Sequence, residues 1–476
     1  ENMRYTADAL SYINSLDENL RQSIEKRLKN RDLFIVDKEL IENEVKIIEA
    51  VRKISEKDKE TEVRVIRQSK IPKAKEYSPK VEPDKDRDIT GKSRTRNTVK
   101  DFSRYFKSRI QRLSVFLKNK RHDYIDTTIK NAEKINDNIS FIAIVTEKRE
   151  TKNGNIIITA EDEEQEVTLI INKESEIFED AKTIVPDEVL RFYCKPGKFF
   201  IVKDFDRPTY DHARWPLIES DVAIAYISDI HAGSKIMLSD LLIKFINNIR
   251  NPKDELAGKI KYVVIAGDLV DGIGIYPNQE QDLEIKDIYK QYEYLQAFLE
   301  QLPDYVEIII SPGNHDAVRR AEPSPAIDKK LLPIKAYFVG NPAYVDIEGI
   351  CHLIYHGTSL DSLIANIKGL NYINVAEAMK EQLKRRHLSP IYGINPIVPE
   401  EFDYLVIDKI PNVYHAGHLH RTDISKYFST FLVNSGTFQD RTAYQLKQGH
   451  LPTPGKIPIL ELKTMKFSLW DLHGDR

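Results

Sequence analysis

Apolar residues recur at Leu10, Ile13, Leu16 and Leu20 within "ADALSYINSLDENLRQSIEKRL", the spacing that lines up one face of an α-helix. That patterning predicts a helical segment over residues 1–66. Residues 67–97 then lose it: "RQSKIPKAKEYSPKVEPDKDRDITGKSRTRN" holds three prolines, many charges and few apolar side chains. A disordered charged linker is expected there, or a basic arm that orders on nucleic acid. Either would hold the N-terminal helices away from the rest, so removing residues 1–95 should leave the remaining chain active. Helical spacing resumes from about Val99 to Leu117, with Phe102, Tyr105 and Phe106 on one side, and opens a helical lead-in over 98–135.

From 136 to 210 the period changes. "ISFIAIVTEK" and "NIIITAED" flank Asn153-Gly154, a strong hairpin signal. "EVTLIINK", the helix-like "SEIFEDAKTIV", "VLRFYCK" and "KFFIVKDF" follow. Three strands, a helix and two strands match an OB-fold barrel. Such barrels often bind single-stranded nucleic acid, but these strands lack an obvious interleaving of basic and aromatic residues, and an architectural barrel fits equally well. Residues 215–476 alternate apolar strand-like runs with helical stretches such as "SDLLIKFINNI" and "DIYKQYEYLQAFLEQL". This is α/β layering.

Length and composition narrow the picture only modestly. At 476 residues the chain is too long for one ordinary core and suggests two to four domains. Acids and bases nearly cancel, 74 against 71, so any steering of nucleic acid must come from local patches. Two cysteines, Cys194 and Cys351, exclude a disulfide framework or a thiolate metal site and fit a reducing, cytoplasmic setting. No apolar run approaches the ~18 residues that would span a bilayer, and no signal peptide is visible. The chain opens on Glu1 rather than methionine, as a fragment would.

The twelve histidines are unevenly placed, three of them within "VYHAGHLH" at 413–420. Alternation in an extended segment puts His418 and His420 on one face. They are the last of five β-runs that end in metal-ligand residues. "VAIAYISDIH" ends in Asp229 and His231, "YVVIAGDLVDG" delivers Asp268 and then Asp271, "VEIIISPGNHD" delivers Asn314, His315 and Asp316, and "CHLIYHG" delivers His356. Ligands in α/β proteins gather beyond the carboxyl ends of strands, so these loops can converge. Carboxylate, imidazole and amide oxygen together suit two divalent ions, manganese first, with iron, zinc or magnesium as alternatives. A carboxylate shared between them would hold the ions about 3.5–4 Å apart, the geometry of a two-metal phosphoesterase.

The ordered series D-x-H, G-D, G-N-H-D, H-G and G-H-x-H resembles the calcineurin-like metallophosphoesterases over about 215–440. The resemblance implies a two-sheet sandwich flanked by helices. It implies one metal site at Asp229, His231, Asp268 and His420, and a second at Asp268, Asn314, His356 and His418. It makes His315 the non-ligand histidine that contacts phosphate and helps the leaving oxygen depart, with Asp316 either orienting His315 or capping the turn. Protein phosphatases of this group carry an arginine where this chain has Gly272, and end the third motif in Glu where Asp316 stands. Both departures lean towards nucleases. A barrel directly before such a domain is similar to the B-type small subunits of replicative DNA polymerases. The intact ligand set matches the archaeal family D members, over roughly 98–476. That resemblance implies a 3′–5′ DNA exonuclease acting on a single-stranded 3′ end beside a large catalytic subunit. A stand-alone nuclease of the double-strand-break repair type is the alternative, and a metallo protein phosphatase a weaker one.

Other polar residues are given lesser roles. His352 is expected to be a satisfied structural residue, and His415 to support a ligand from behind or to pack in the core rather than bind metal. His122, His212, His387, His450 and His473 have no ligand context. Arg319 and Arg320 either hold the DNA backbone or sit in a solvated loop, and "KRRH" at 384–387 reads as a solvated helix end.

Overall fold

A computed structural model of the chain describes residues 4–29, 35–64, 71–197 and 199–474, side chains of 55–64, 443 and 444 excepted. Residues 1–3, 30–34 and 65–66 of the expected helical segment, 67–70 of the expected linker and 475–476 lie outside these.

Two six-stranded sheets stack face to face, built from residues 222–472 and one strand at Val81–Pro83. The first runs Tyr337–Phe338, Glu307–Ser311, Ile260–Ala266, Ala223–Ile227, Lys456–Glu461, Lys466–Asp471. Its four leading strands pair in parallel, and the three after Tyr337–Phe338 are buried along their whole length, which is why their sequences are continuous apolar runs rather than alternations. The second runs Asp423–Tyr427, Thr430–Asn434, Val413–Ala416, Ile350–Ile354, Ala343–Ile347, Val81–Pro83. Ile224, Tyr262 and Val264 meet Val345, Ile350 and Val413 between the sheets. Helices Ser239–Arg250 and Ile288–Leu299 cover one outer face, and Leu360–Asn366 with Val375–Arg385 cover the other.

The last strand of the second sheet corrects an expectation. Residues 71–97 are not a disordered linker: Val81–Pro83 pairs antiparallel with Ala343–Ile347, and Ala74, Asp88 and Ile89 are buried. Asp88 accepts from the Gly340 amide at 2.8 Å, and Arg87 bonds to Asp408 at 2.8 Å. The low local apolar content is offset by sheet pairing and charge-assisted contacts more than 250 residues away in sequence. Nor do the N-terminal helices stand apart. Ala7–Ser15, Glu18–Lys29 and Lys38–Arg64 pack together through Ile13, Leu20, Ile24 and Ile41. The third then lays Ala50 and Ile54 into the core shared with Phe245 and Phe298. Leu10, expected on the buried face, is half exposed, and Ala9 is buried instead. Deletion of residues 1–95 would therefore strip an edge strand and open the sandwich core.

Between these parts, strands Ile139–Glu150, Ile156–Glu161, Glu166–Ile171, Phe200–Asp206 and Val189–Lys195 close into a barrel, the first pairing with the last. The hairpin falls at Gly154, whose φ of +82° suits glycine. Helix Val99–Ser114, capped reciprocally by Thr98 and Asp101, wedges between barrel and sandwich. Its Arg109 is fully buried, bonding Asp403 at 2.7 Å and the Pro390 and Asp187 carbonyls at 2.9 and 3.2 Å. The "KRRH" stretch is likewise no solvated end. Arg385 pairs with Glu188 of the barrel at 3.1 Å, Arg386 lies 3.8 Å over the Phe116 ring, and His387 bonds Asp403 at 2.8 Å.

Candidate metal centre

All the ligand-type residues marked in the sequence arrive at one edge of the sandwich, in the loops that follow strand ends. Asp229, His231, Asp268, His418 and His420 sit there with left-handed φ between +51° and +68°, a conformation that costs of order 1–3 kcal/mol per residue and persists where surroundings over-determine it. Glycines make room. A Cβ on Gly417 would lie 2.5 Å from Ser228 Oγ and 2.6 Å from Asp229 Oδ2, and one on Gly313 would collide with Asp268.

The side chains converge. His231 Nε2 and His420 Nε2 lie 3.1 Å apart, and His420 Nε2 is 3.4 Å from Asp229 Oδ1. Asp268 Oδ2 stands between two groups, 3.8 Å from His231 Nε2 and 3.2 Å from His356 Nε2. His356 Nε2 meets Asn314 Oδ1 at 3.0 Å. Ligand-type atoms of Asp229, His231 and His420 fall within 4.8 Å of one another, as do those of Asp268, His356 and His418, and those of His231, Asp268 and His315. The far nitrogens are held from behind: His231 Nδ1 by Asp271 at 3.0 Å, His356 Nδ1 by the Ala266 carbonyl at 2.7 Å, His420 Nδ1 by Gln445 at 2.9 Å. His418 is turned the other way, its Nε2 on Asp361 at 2.9 Å. The oxygens of Asp271 and Ala266 fix the tautomers of His231 and His356 and aim their Nε2 atoms at an ion; Gln445, its own oxygen taken by the Thr442 amide, donates to His420 Nδ1.

The electrostatics fit a cation. Among the described residues, the ion-pair partners of Asp229, Asp268 and Asp271 are all histidines, so three buried carboxylates have no resident lysine or arginine. Burial by itself would raise Asp268, yet the imidazoles of His356 and His315 hold it well below the usual carboxylate range. Burial would lower His231 and His356, but the surrounding carboxylates lift them to about 9 and about 10.

His315 is half-buried on the rim. Its Nδ1 donates to the Asp271 carbonyl at 2.7 Å, leaving Nε2 for the cleft, and its backbone amide donates to Asp268 at 2.8 Å. Asp316 does not orient it. Its carboxylate accepts from the Leu269 and Gly313 amides at 3.1 and 2.8 Å and from the Tyr292 hydroxyl at 3.2 Å, clamping the two ligand loops together. Burial and the nearby Asp268 raise it to about 7. His352 bonds Tyr226 at 2.9 Å, and His415 meets Ser435 in the core, so both are structural. Arg319 is tied to Glu400 at 2.9 Å and to the Pro323 carbonyl. Sequence reasoning passed over Asp361, Gln445, Gln279 and Gln439. The two last brace Asp271 at 3.0 and 3.1 Å. Thr442 and Gln445 have capping-box spacing, which marks a helix start and not a site, and single residues such as Asp361, Gln279 and Gln439 carry no spacing signal.

A parallel-sheet sandwich with this donor set at its strand ends defines a metallophosphoesterase, and the calcineurin-like phosphoesterase family model matches residues 222–422. Relatives extend the likeness beyond that domain. The DNA polymerase II small subunit of Methanocaldococcus jannaschii is 40% identical over 419 residues, 85% of this chain and 70% of that one. That of Archaeoglobus fulgidus is 40% identical over 388 residues, covering 78% and 77%. That of Methanothermobacter thermautotrophicus is 37% identical over 393 residues, covering 80% and 81%. The chain belongs to the family of archaeal DNA polymerase II small subunits, and it carries a metal-dependent phosphoesterase domain.

Proposed function

We propose that the metal centre is a 3′–5′ DNA exonuclease that trims a single-stranded primer end, and that the chain works in the cytoplasm on the large catalytic subunit of a family D polymerase. The observation that carries this reading is the position of Asp268 between two imidazole groups, 3.8 and 3.2 Å away, in a pocket whose carboxylates lack a resident cation. On one side Asp229, His231 and His420 would hold an ion with Asp268; on the other Asn314, His356 and His418 would do so. Two divalent ions, manganese first among them, supply Lewis acidity to phosphoryl oxygens and to an attacking water.

The chain's own residues do the rest. Asp271 and Ala266 fix His231 and His356 so that only Nε2 faces the cleft. The Asp271 carbonyl holds His315 with Nε2 outward. Burial keeps that imidazole below its ordinary value, and an incoming phosphodiester raises it again by its negative charge. His315 then donates its Nε2 proton to the departing 3′ oxygen. The imidazole-rich set serves hydrolysis and not nucleotide addition, which is left to the large subunit.

The test is digestion of an oligonucleotide labelled at its 3′ or 5′ end, with Mn²⁺, by the chain alone and with its large subunit. Mononucleotide release from the 3′ end and no primer extension by the chain alone are expected. Release from the 5′ end, or extension abolished by Asp268→Ala, would overturn the reading.

A further inference from the structure

The loop that follows Asp271 is anchored from below and apolar on top. Gln279 bonds both the Asp271 carbonyl and its carboxylate, at 2.8 and 3.0 Å, and accepts from the Ile275 amide at 2.8 Å. Gln291 accepts from the Gly272 amide at 2.9 Å and donates to the Gly272 and Ile285 carbonyls. Both glutamines are buried. Above them the loop exposes Ile273 by 47% and Tyr276 by 41%, the latter steadied by its hydroxyl on Asp282 at 3.0 Å. Two large apolar side chains on a rigidly held loop beside a hydrolytic pocket are not explained by packing.

The same loop touches His315. The Asp271 carbonyl accepts from His315 Nδ1, and a Cβ on Gly272 would collide with the His315 carbonyl. Arg320, five residues after His315, closes the rim: its Nη2 donates to the Gly274 carbonyl at 2.6 Å. Arg320 is exposed and, among the described residues, forms no ion pair, whereas its neighbour Arg319 is spent on Glu400. An unpaired guanidinium held by one carbonyl keeps its other donors for an anion.

We propose that Ile273, Tyr276 and Arg320 form the subsite for the nucleotide next to the scissile phosphate on the His315 side. The base lies on the apolar loop top, and Arg320 takes a phosphate that is not cleaved. This rests on the nuclease reading of the metal centre. It explains why a flexible single strand suits the cleft: a base can lie on Ile273 and Tyr276 only when it is unpaired. Arg320 adds a sequence-independent grip on the backbone.

The experiment compares full-length wild type, Arg320→Ala, Arg320→Lys and the double variant Ile273→Ala/Tyr276→Ala with Mn²⁺ on two substrates. One is a single-stranded oligonucleotide and the other bis(p-nitrophenyl) phosphate, which reaches the metals but not the loop. Arg320→Ala should raise the oligonucleotide KM about tenfold and lower the slope of log KM against log salt by about 1. Arg320→Lys should keep that slope, and the loop variant should raise KM without altering it. All should cleave the small diester within about twofold of wild type. An unchanged oligonucleotide KM and salt slope in Arg320→Ala, with the small diester still cleaved, would overturn this subsite alone. Wild type inert on both substrates would overturn the nuclease reading and the subsite with it.

Discussion

At the junction of barrel and sandwich, buried Asp403 faces Arg109 and His387; at the metal centre, buried Asp229 and Asp268 face His231, His356 and His420. The ingredients are nearly the same, but the charge balance is opposite. Asp403 accepts from Arg109 at 2.7 Å, Tyr105 at 2.8 Å, His387 at 2.8 Å and the Leu405 amide at 3.0 Å. Burial alone would raise its carboxyl, and His387 and Arg109 hold it well below the usual range. His387 accepts from the Ser389 amide on its other nitrogen at 3.1 Å, so it is neutral, and one guanidinium answers one carboxylate. The junction is closed and complete. The metal centre leaves its carboxylates without a permanent cation, and its backbone is held in left-handed conformations to bring them together. A buried carboxylate matched within the chain is architecture; one left unmatched awaits a ligand.

Substitutions in the two places should therefore fail differently. The largest effect is expected from Asp268→Ala, which should reduce bound metal from two ions to none and activity to background; metal analysis after dialysis checks it, and two retained ions would break the comparison. His315→Ala should keep both ions yet lose turnover by about 10²–10⁴-fold, measured as kcat beside metal content. On the architectural side, Asp403→Ala strands Arg109 and should lower stability by about 3–5 kcal/mol while leaving metal affinity intact, read by denaturant unfolding and calorimetric titration.

A milder test uses acid. Burial, with Arg109 beside it, pushes the His387 imidazole down to about 4, whereas in the unfolded chain it takes its proton near 6.5. Between about 6.5 and 4 the unfolded state therefore binds more protons, and stability falls with falling pH, by about 3 kcal/mol from this group alone. His387→Gln should flatten that part of the profile in chemical denaturation. The smallest effect is expected at Asp361→Asn, which should weaken Mn²⁺ binding by about 10–100-fold and leave kcat at saturating metal nearly unchanged, because Asp361 reaches the site through His418.

The candidate metal ligands and the sheet that carries them were legible in the chain itself. Asp229, His231, Asp268, Asn314, His356, His418 and His420 each follow an apolar run within a few residues, and strand ends are where an α/β sheet gathers ligands. Those are local signals. The hairpin at Asn153-Gly154 is local too. Other features depend on partners far off in the chain. Residues 71–97 look unstructured by composition, but Ala343–Ile347 offers Val81–Pro83 an open edge. Arg385, Arg386 and His387 look like a solvated end, but Glu188, Phe116 and Asp403 bury them. Asp316 adjoins His315 in sequence, yet its oxygens are taken by loop amides, and the carbonyl that orients His315 comes from Asp271, 44 residues earlier. A residue's type and its immediate neighbours set what chemistry it offers; whether that chemistry is spent inside the protein or left for a ligand is set by what the fold brings against it.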